Sequence, residues 1–202
     1  MRAQNLPKSP RLYSRATMST STSFNKPQKP PSSHPWEPTW VVLDTNVVLD
    51  LLVFADVRSK ALHQALETGS LQPLATAAMF EELADVLARP FLARWQVNVN
   101  SVLAQARRLC RQVELPAPMV TGVPRCADPD DQIFIDLAWC WPAHWLFSRD
   151  RALLDLARAA SPRGLGVLTP AAWSALPASA VGQSACRQTT AHRDEGTRAG
   201  HR

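Results

Sequence analysis

The chain has 202 residues, 46% of them hydrophobic, which is enough for one domain with a sizeable core but too few for two independent domains. No apolar run reaches the roughly 18 residues that a membrane helix needs, because Asp44, Asn46 and Asp50 interrupt the most apolar stretch, residues 41–54. The N-terminus lacks the apolar core of a secretory signal, so we expect a cytoplasmic protein. The four cysteines include no CxxC pair, which disfavours disulfides and zinc sites.

The net charge of +5 is concentrated at the two ends of the chain. Residues 1–38 and 178–202 together carry +7, which leaves −2 for residues 39–177. The overall basicity is therefore weak support for a folded RNA-binding surface.

Composition divides the chain into three segments. Residues 1–38 and 178–202 are rich in polar residues and have little apolar patterning, which predicts a disordered arm and a disordered tail. Met18 lies in the first arm, so translation could start there or at Met1. Residues 39–177 alternate short apolar runs with amphipathic ones, which predicts a single α/β domain with a mostly parallel sheet flanked by helices.

The predicted elements of this domain follow from apolar spacing, glycine and proline positions and capping residues. In chain order they are a buried strand at 40–43, a first helix after the turn at 44–46, a second helix at 58–67, a weak strand at 71–75, helices at 77–88, 97–113 and 129–141, a strand at 145–147, a helix at 151–159, a strand at 166–168 and a short helix at 171–176. Asp128 is the predicted N-cap of the helix at 129–141, with proline in its first position.

Acidic residues stand where the chain leaves two of these strands. Asp44 follows the strand at 40–43, and Asp150 follows the strand at 145–147 by three residues. If the two strands are parallel neighbours, both carboxylates project from the edge of the sheet where α/β proteins bind ligands. The alternative for each residue is an ordinary helix N-cap.

Two helices supply further acids. At 100° per residue, Glu82 borders the apolar face of the helix at 77–88, whereas Glu81 points away from that face. Asp128, Asp130 and Asp131 crowd the start of the helix at 129–141, with more negative charge than capping needs. The helical wheel does not decide between Asp130 and Asp131. An oxygen-rich carboxylate site without nearby His or Cys favours Mg²⁺ or Mn²⁺ over zinc, but it does not identify a substrate.

Four segments supply a family resemblance. VLDTNV at 42–47, ELADVL at 82–87, CADPDDQIFIDLA at 126–138 and LFSRD at 146–150 resemble, in order and spacing, the motifs of PIN-domain ribonucleases of the toxin-like branch. The resemblance implies a three-layer PIN-like fold and a Mg²⁺- or Mn²⁺-dependent ribonuclease. It also implies that RNA is the substrate and, for a toxin of a toxin–antitoxin pair, that a small antitoxin is a partner. A homodimer is a further option that the sequence leaves open.

Position by position, the resemblance assigns the catalytic and metal-binding residues. They are Asp44, Glu82, Asp131 and Asp150, with Asn46, Ser148 and Asp130 in supporting positions. Asp131 is preferred to Asp130 because Phe134 and Ala138 then fall where the family's helix has apolar and small residues. The chain departs from the pattern at Arg149, where a glycine is common, and in its tryptophan-rich stretch at 139–145.

Two other functions compete. One is a catalytically inert PIN fold that binds RNA or protein, against which the complete acidic quartet argues. The other is a phosphohydrolase of the haloacid dehalogenase type, which needs a second Asp where this chain has Asn46.

The tryptophans allow two placements. Trp139, Trp141 and Trp145 could form an interface if exposed, although their spacing favours the core.

Overall fold

A computed structural model of the chain describes residues 39–117, 120–141 and 143–177. The arm predicted at 1–38 and the tail predicted at 178–202 lie outside the described residues.

The described residues form a five-stranded parallel sheet with flanking helices, as the sequence predicts. The strands are β1 (Thr39–Leu43), β2 (Leu71–Ala75), β3 (Arg111–Gln112), β4 (Trp145–Phe147) and β5 (Gly166–Leu168), in the spatial order β3-β2-β1-β4-β5. The central strand β1 is buried on both sides because its last three residues, VVL, are apolar and almost fully covered.

The helices differ in length and type. The α-helices are α1 (Thr45–Leu49), α2 (Lys60–Glu67), α3 (Ala77–Leu87), α4 (Val99–Leu109), α5 (Gln132–Cys140), α6 (Arg151–Leu154), α7 (Ala157–Ala160) and α8 (Pro170–Ser174). A π-helical turn, Asp50–Phe54, continues α1, and 3₁₀ turns lie at Val57–Ser59, Pro90–Trp95 and Ser161–Arg163. Helix α5 packs on β1 and β4 and contributes the fully buried Phe134, Ile135 and Leu137 to the core.

Three predicted helices needed correction. The helix predicted at 129–141 begins only at Gln132, because a carboxylate oxygen of Asp128 accepts a hydrogen bond from the Asp130 amide (3.0 Å) and holds a turn there instead. The helix predicted at 97–113 ends at Leu109, because the chain becomes extended at Cys110 and pairs with β2 as the edge strand β3. The helix predicted at 151–159 is divided into α6 and α7.

The tryptophans belong mainly to the core, as their spacing suggested. Trp139 and Trp145 are buried, and the half-buried Trp141 donates its indole N–H to the Glu114 carbonyl (3.1 Å). Trp145 also explains a glycine in the neighbouring strand, because a Cβ at Gly166 would clash with the Trp145 ring. Within the described residues, no helix combines the length and apolar character needed to cross a membrane.

Candidate active site

Two parallel neighbours bring the first pair of site residues together. Strands β1 and β4 are in register from Val41 to Leu43, and the Asp44 amide donates a hydrogen bond to the Phe147 carbonyl (2.9 Å). The residues that follow the two strands therefore emerge at the same edge. There the Ser148 hydroxyl donates a 2.7 Å hydrogen bond to Oδ2 of Asp44, and both side chains are almost fully buried.

The environment of Asp44 makes its negative charge costly. Burial raises its pKa above the ordinary value, and the hydrogen bonds from Ser148 and Asn46 only partly oppose this effect. The charge of Asp150 raises the pKa further. Asn46 supports Asp44 through its backbone and side-chain amides, each 3.4 Å from a carboxylate oxygen, and Asp44 thereby caps α1.

Helix α3 delivers Glu82 to the same region. Thr76 caps this helix by accepting a hydrogen bond from the Met79 amide (3.3 Å), and the apolar side chains that face the sheet fix its rotation. Glu82 is half-buried, whereas Glu81 is exposed, which agrees with the predicted helix phase. The Thr45 hydroxyl donates to Oε1 of Glu82 (3.0 Å) and so links α3 to the residue after Asp44.

Burial and neighbouring acids raise the pKa of Glu82. Burial is the main cause, the Thr45 hydrogen bond lowers the pKa, and the charge of Asp44 raises it. Arg89, two turns further along the chain, lowers it. Thr45 is a site residue that the sequence interpretation missed, although it lies inside the motif that contains Asp44 and Asn46.

Asp131, at the start of α5, is affected both by burial and by the acids around it. Burial and then the charges of Asp44, Asp150, Asp128 and Glu82 raise its pKa to about 7. Four carboxylates act on this one side chain, so the start of α5 faces the ends of β1 and β4. Asp130 is exposed and raises the pKa of Glu82 from the border of this group. Of the two aspartates that the helical wheel left open, Asp131 is therefore half-buried and Asp130 exposed.

Asp150 combines capping with a place at the sheet edge. Its Oδ1 accepts a hydrogen bond from the Ala152 amide (2.7 Å) and caps α6, while its own amide donates to the Ser148 hydroxyl (2.8 Å). Ser148 therefore connects the backbone of Asp150 to the carboxylate of Asp44. Asp44 and Asp150 both cap helices, and capping does not exclude their convergence at the sheet edge.

An ion-pair network beside these acids was not predicted. Asp50, in the π-helical turn, is 2% exposed, and Nε of Arg149 lies 3.0 Å from its Oδ2. Burial raises the pKa of Asp50, while Arg149 lowers it. Asp56 accepts two-pronged hydrogen bonds from Arg58, which hold the pKa of Asp56 at about 2, and it lies 4.0 Å from Nη1 of Arg149. Arg149, noted from the sequence only as a departure from the family pattern, is thus the partner of a buried acid.

The donor chemistry of the cluster fits a hard divalent cation, although the side chains are not gathered around one point. Asp44, Glu82, Asp131 and Asp150 offer only carboxylate oxygens, which Mg²⁺ and Mn²⁺ prefer. Within the described part of the chain, no three His, Cys, Asp or Glu side chains form a group that could hold an ion as placed. The charges of Asp44, Asp150 and Glu82 all raise the pKa of Asp131, a repulsion that a bound cation would relieve.

A comparison with known families decides the family. Residues 40–152, more than half of the chain, match the family described as PIN domain. The chain belongs to the PIN-domain family. The matched PIN segment runs from β1 into α6 and contains all four acids and the supporting residues Asn46, Ser148 and Asp130. PIN domains are generally nucleases. No curated protein matches the chain.

Proposed function

We propose that this PIN domain is a metal-dependent ribonuclease whose catalytic residues are Asp44, Glu82, Asp131 and Asp150. The observation that carries the proposal is the crowding of acids around Asp131, where burial and then the charges of four neighbouring carboxylates raise the pKa to about 7. Structural ion pairs do not explain such a concentration of like charge, because here the neighbours repel. A site that binds a divalent cation and a phosphate explains why the repulsion is tolerated.

Each residue has a role that its contacts support. Ser148 and Asn46 fix the carboxylate of Asp44, and Thr45 fixes that of Glu82, so both are held for ligand binding before any ligand arrives. Asp131 and Asp150 would complete the set from α5 and from the start of α6. A divalent cation bound by the four acids would supply a water of lowered pKa and neutralise charge on the phosphate.

Protons compete with metal at this site. Because the pKa of Asp131 is about 7, its carboxyl group is partly protonated near neutral pH when no metal is bound. Metal binding must displace that proton, so we expect apparent metal affinity and cleavage to rise with pH through this range.

We further propose that the protein is the toxin of a toxin–antitoxin pair, on the basis of the motif resemblance to that branch. A small antitoxin and a second copy of the chain are then its protein partners. Expression of the chain in bacterial cells should arrest growth, and Asp44→Asn should abolish the arrest. Equal growth arrest by the parent and Asp44→Asn would mean that the toxicity does not depend on the acidic site.

The direct test uses the purified full chain, a mixed pool of labelled RNA, and either Mn²⁺ or EDTA. We expect cleavage with Mn²⁺, none with EDTA, and none by Asp44→Asn. Asp155→Asn is the matched control, because its exposed carboxylate only pairs with the exposed Arg151 on the protein surface. Absence of cleavage by the parent with Mn²⁺ would favour the inert RNA- or protein-binding PIN fold.

A further inference from the structure

Positive charge is segregated within the domain. Residues 39–177 carry −2 overall, but residues 86–113 contain five arginines and no acidic residue. The rest of the domain therefore carries −7. All five arginines, Arg89, Arg94, Arg107, Arg108 and Arg111, are exposed. A net charge near zero thus conceals a basic segment that can attract a polyanion toward an otherwise acidic domain.

Exposed aromatic rings lie in the same segment. In the 3₁₀ turn Pro90–Trp95, Phe91 is 56% exposed and Trp95 is 37% exposed. The guanidinium carbon of Arg94 lies 3.7 Å from the centroid of the Trp95 ring, a cation–π contact that holds its N–H groups beside the ring. Large aromatic side chains exposed next to a positioned arginine are typical of surfaces that bind nucleic acid.

Two routes through the fold connect the aromatic turn with the Asp50–Arg149 ion pair and with Glu82 of the acidic cluster. The Trp95 ring packs on Phe54, with centroids 4.9 Å apart, and Phe54 ends the π-helical turn that begins at Asp50. The contact between Trp95 and Phe54 therefore lies one helical turn, on the order of 5 Å, from Asp50, the acid that pairs with Arg149. The second route is Arg89, which immediately precedes the aromatic turn and acts electrostatically on Glu82.

The surface beside Trp95 is concave. An open hollow of about 190 Å³ lies between the π-helical turn and the start of α4. Leu52, Val53, Trp95, Asn98 and Ser101 are among the residues that line it, so it offers both apolar surface and hydrogen-bonding groups to a base that stacks beside Trp95.

We propose that Phe91, Arg94 and Trp95 form a base-stacking platform that holds single-stranded RNA at the margin of the acidic cluster. The inference rests on the proposed function and specifies its substrate: the aromatic rings contact base faces, and Arg94 contacts the backbone. In a duplex the base faces are stacked on one another, so a platform of this kind selects single strands or loops.

The test measures RNA binding in EDTA, so that it does not depend on cleavage. A fluorescent single-stranded oligouridine is titrated with the full chain at about 0.15 M salt, which screens the contribution of the basic ends. Phe91→Ala and Trp95→Ala should each weaken binding at least about fivefold, the low end for loss of one stacked base. Trp95→Phe, which keeps a ring, and Val120→Ala, at another exposed apolar side chain, should change the affinity less than twofold.

The outcomes separate this inference from the proposed function. Weakened binding by the two alanine variants, with no cleavage by the parent in Mn²⁺, would support the platform and reject the ribonuclease. Unchanged affinity in Phe91→Ala, or equal affinity for single-stranded and duplex RNA, would overturn the platform whether or not RNA is cleaved, and would leave the exposed rings to a protein partner. Phe91 decides the matter if Trp95→Ala fails to fold, because the Phe91 side chain is mostly in solvent.

Discussion

Replacement of Arg149 by alanine is the sharpest perturbation of the site that leaves all four acids in place. Its guanidinium Nε lies 3.0 Å from Oδ2 of Asp50, which is 2% exposed. Arg149 also separates Ser148, which holds Asp44, from Asp150. Removal of the guanidinium leaves the buried carboxylate of Asp50 without its cation, beside the end of β4.

The expected loss of stability is large for a partly exposed residue. Removal of one partner of a buried ion pair costs about 3 to 5 kcal/mol. Arg149 is 37% exposed, and water can therefore replace part of its effect, so we expect about 3 kcal/mol. For a domain of this size that corresponds to a fall in melting temperature of roughly 10 °C.

The loss should depend on pH with a defined sign. The folded-state pKa of Asp50 is already raised by burial, and removal of Arg149 raises it further. A carboxyl group with a raised folded-state pKa stabilises the fold below its unfolded value and loses that contribution as pH rises through the folded value. The stability difference between Arg149→Ala and the parent should therefore be small near pH 4 and grow toward pH 8.

A double-mutant cycle identifies the cause. Asp50→Asn in the Arg149→Ala background removes the unpaired charge and should recover most of the lost stability at pH 8. Arg151→Ala is the matched control, because Arg151 is 91% exposed and pairs only with the exposed Asp155. Thermal melts in EDTA of the parent, Arg149→Ala, Asp50→Asn, the double variant and the Arg151→Ala control measure the effect. Equal melting temperatures for Arg149→Ala and Arg151→Ala at pH 8 would refute the reasoning.

Three further outcomes test the acidic cluster. Glu82→Gln should abolish RNA cleavage, whereas Glu81→Gln should keep the cleavage rate within about twofold, because only Glu82 contacts Thr45 and is half-buried. Equal losses of cleavage in the two variants would reject Glu82 as a metal ligand. In EDTA, the stability of the parent should fall as pH rises from about 4 through 7, because the raised pKa of Asp131 favours folding only while its carboxyl is protonated. Thermal melts of Asp131→Asn should show a smaller dependence of stability on pH between these values. Mn²⁺ at 100 times its dissociation constant should stabilise the parent by about 2.7 kcal/mol, and Asp44→Asn and Asp150→Asn should gain less; identical shifts in melting temperature would place the metal elsewhere.

The elements of the sheet could be predicted where local patterning and packing agree. The limits of β2, β4 and β5 were predicted correctly because short apolar runs between turn residues have few alternatives. Strand β3 was missed because Arg111 and Gln112 are polar and exposed, so nothing local distinguishes them from the end of a helix. It is a strand because it pairs with β2, where Leu74 and Ala75 lie 37 residues earlier in the chain than their partners Arg111 and Gln112.

The candidate site could be predicted for the residues whose positions follow from a strand end or a helix face. Asp44 and Asp150 follow buried parallel strands, and Glu82 lies at the edge of an amphipathic helix, so periodicity alone brings them to one side of the sheet. The position of Asp131 could not be predicted from periodicity alone. The turn held by Asp128 delays the start of α5 to Gln132, and Asp131 stands directly before that start, where the charges of the other carboxylates act on it.

The pairing of Arg149 with Asp50 shows what sequence patterns leave out. Each residue has an ordinary local explanation, since Asp50 interrupts an apolar run and Arg149 stands in a loop. The contact joins positions 99 residues apart and depends on the π-helical turn after α1, which turns Asp50 into the protein beside the end of β4. A glycine at position 149 would leave that buried acid without its cation. The departure from the family pattern at Arg149 and the buried charge at Asp50 are therefore one feature, and we expect them to be lost or kept together in any functional variant of this chain.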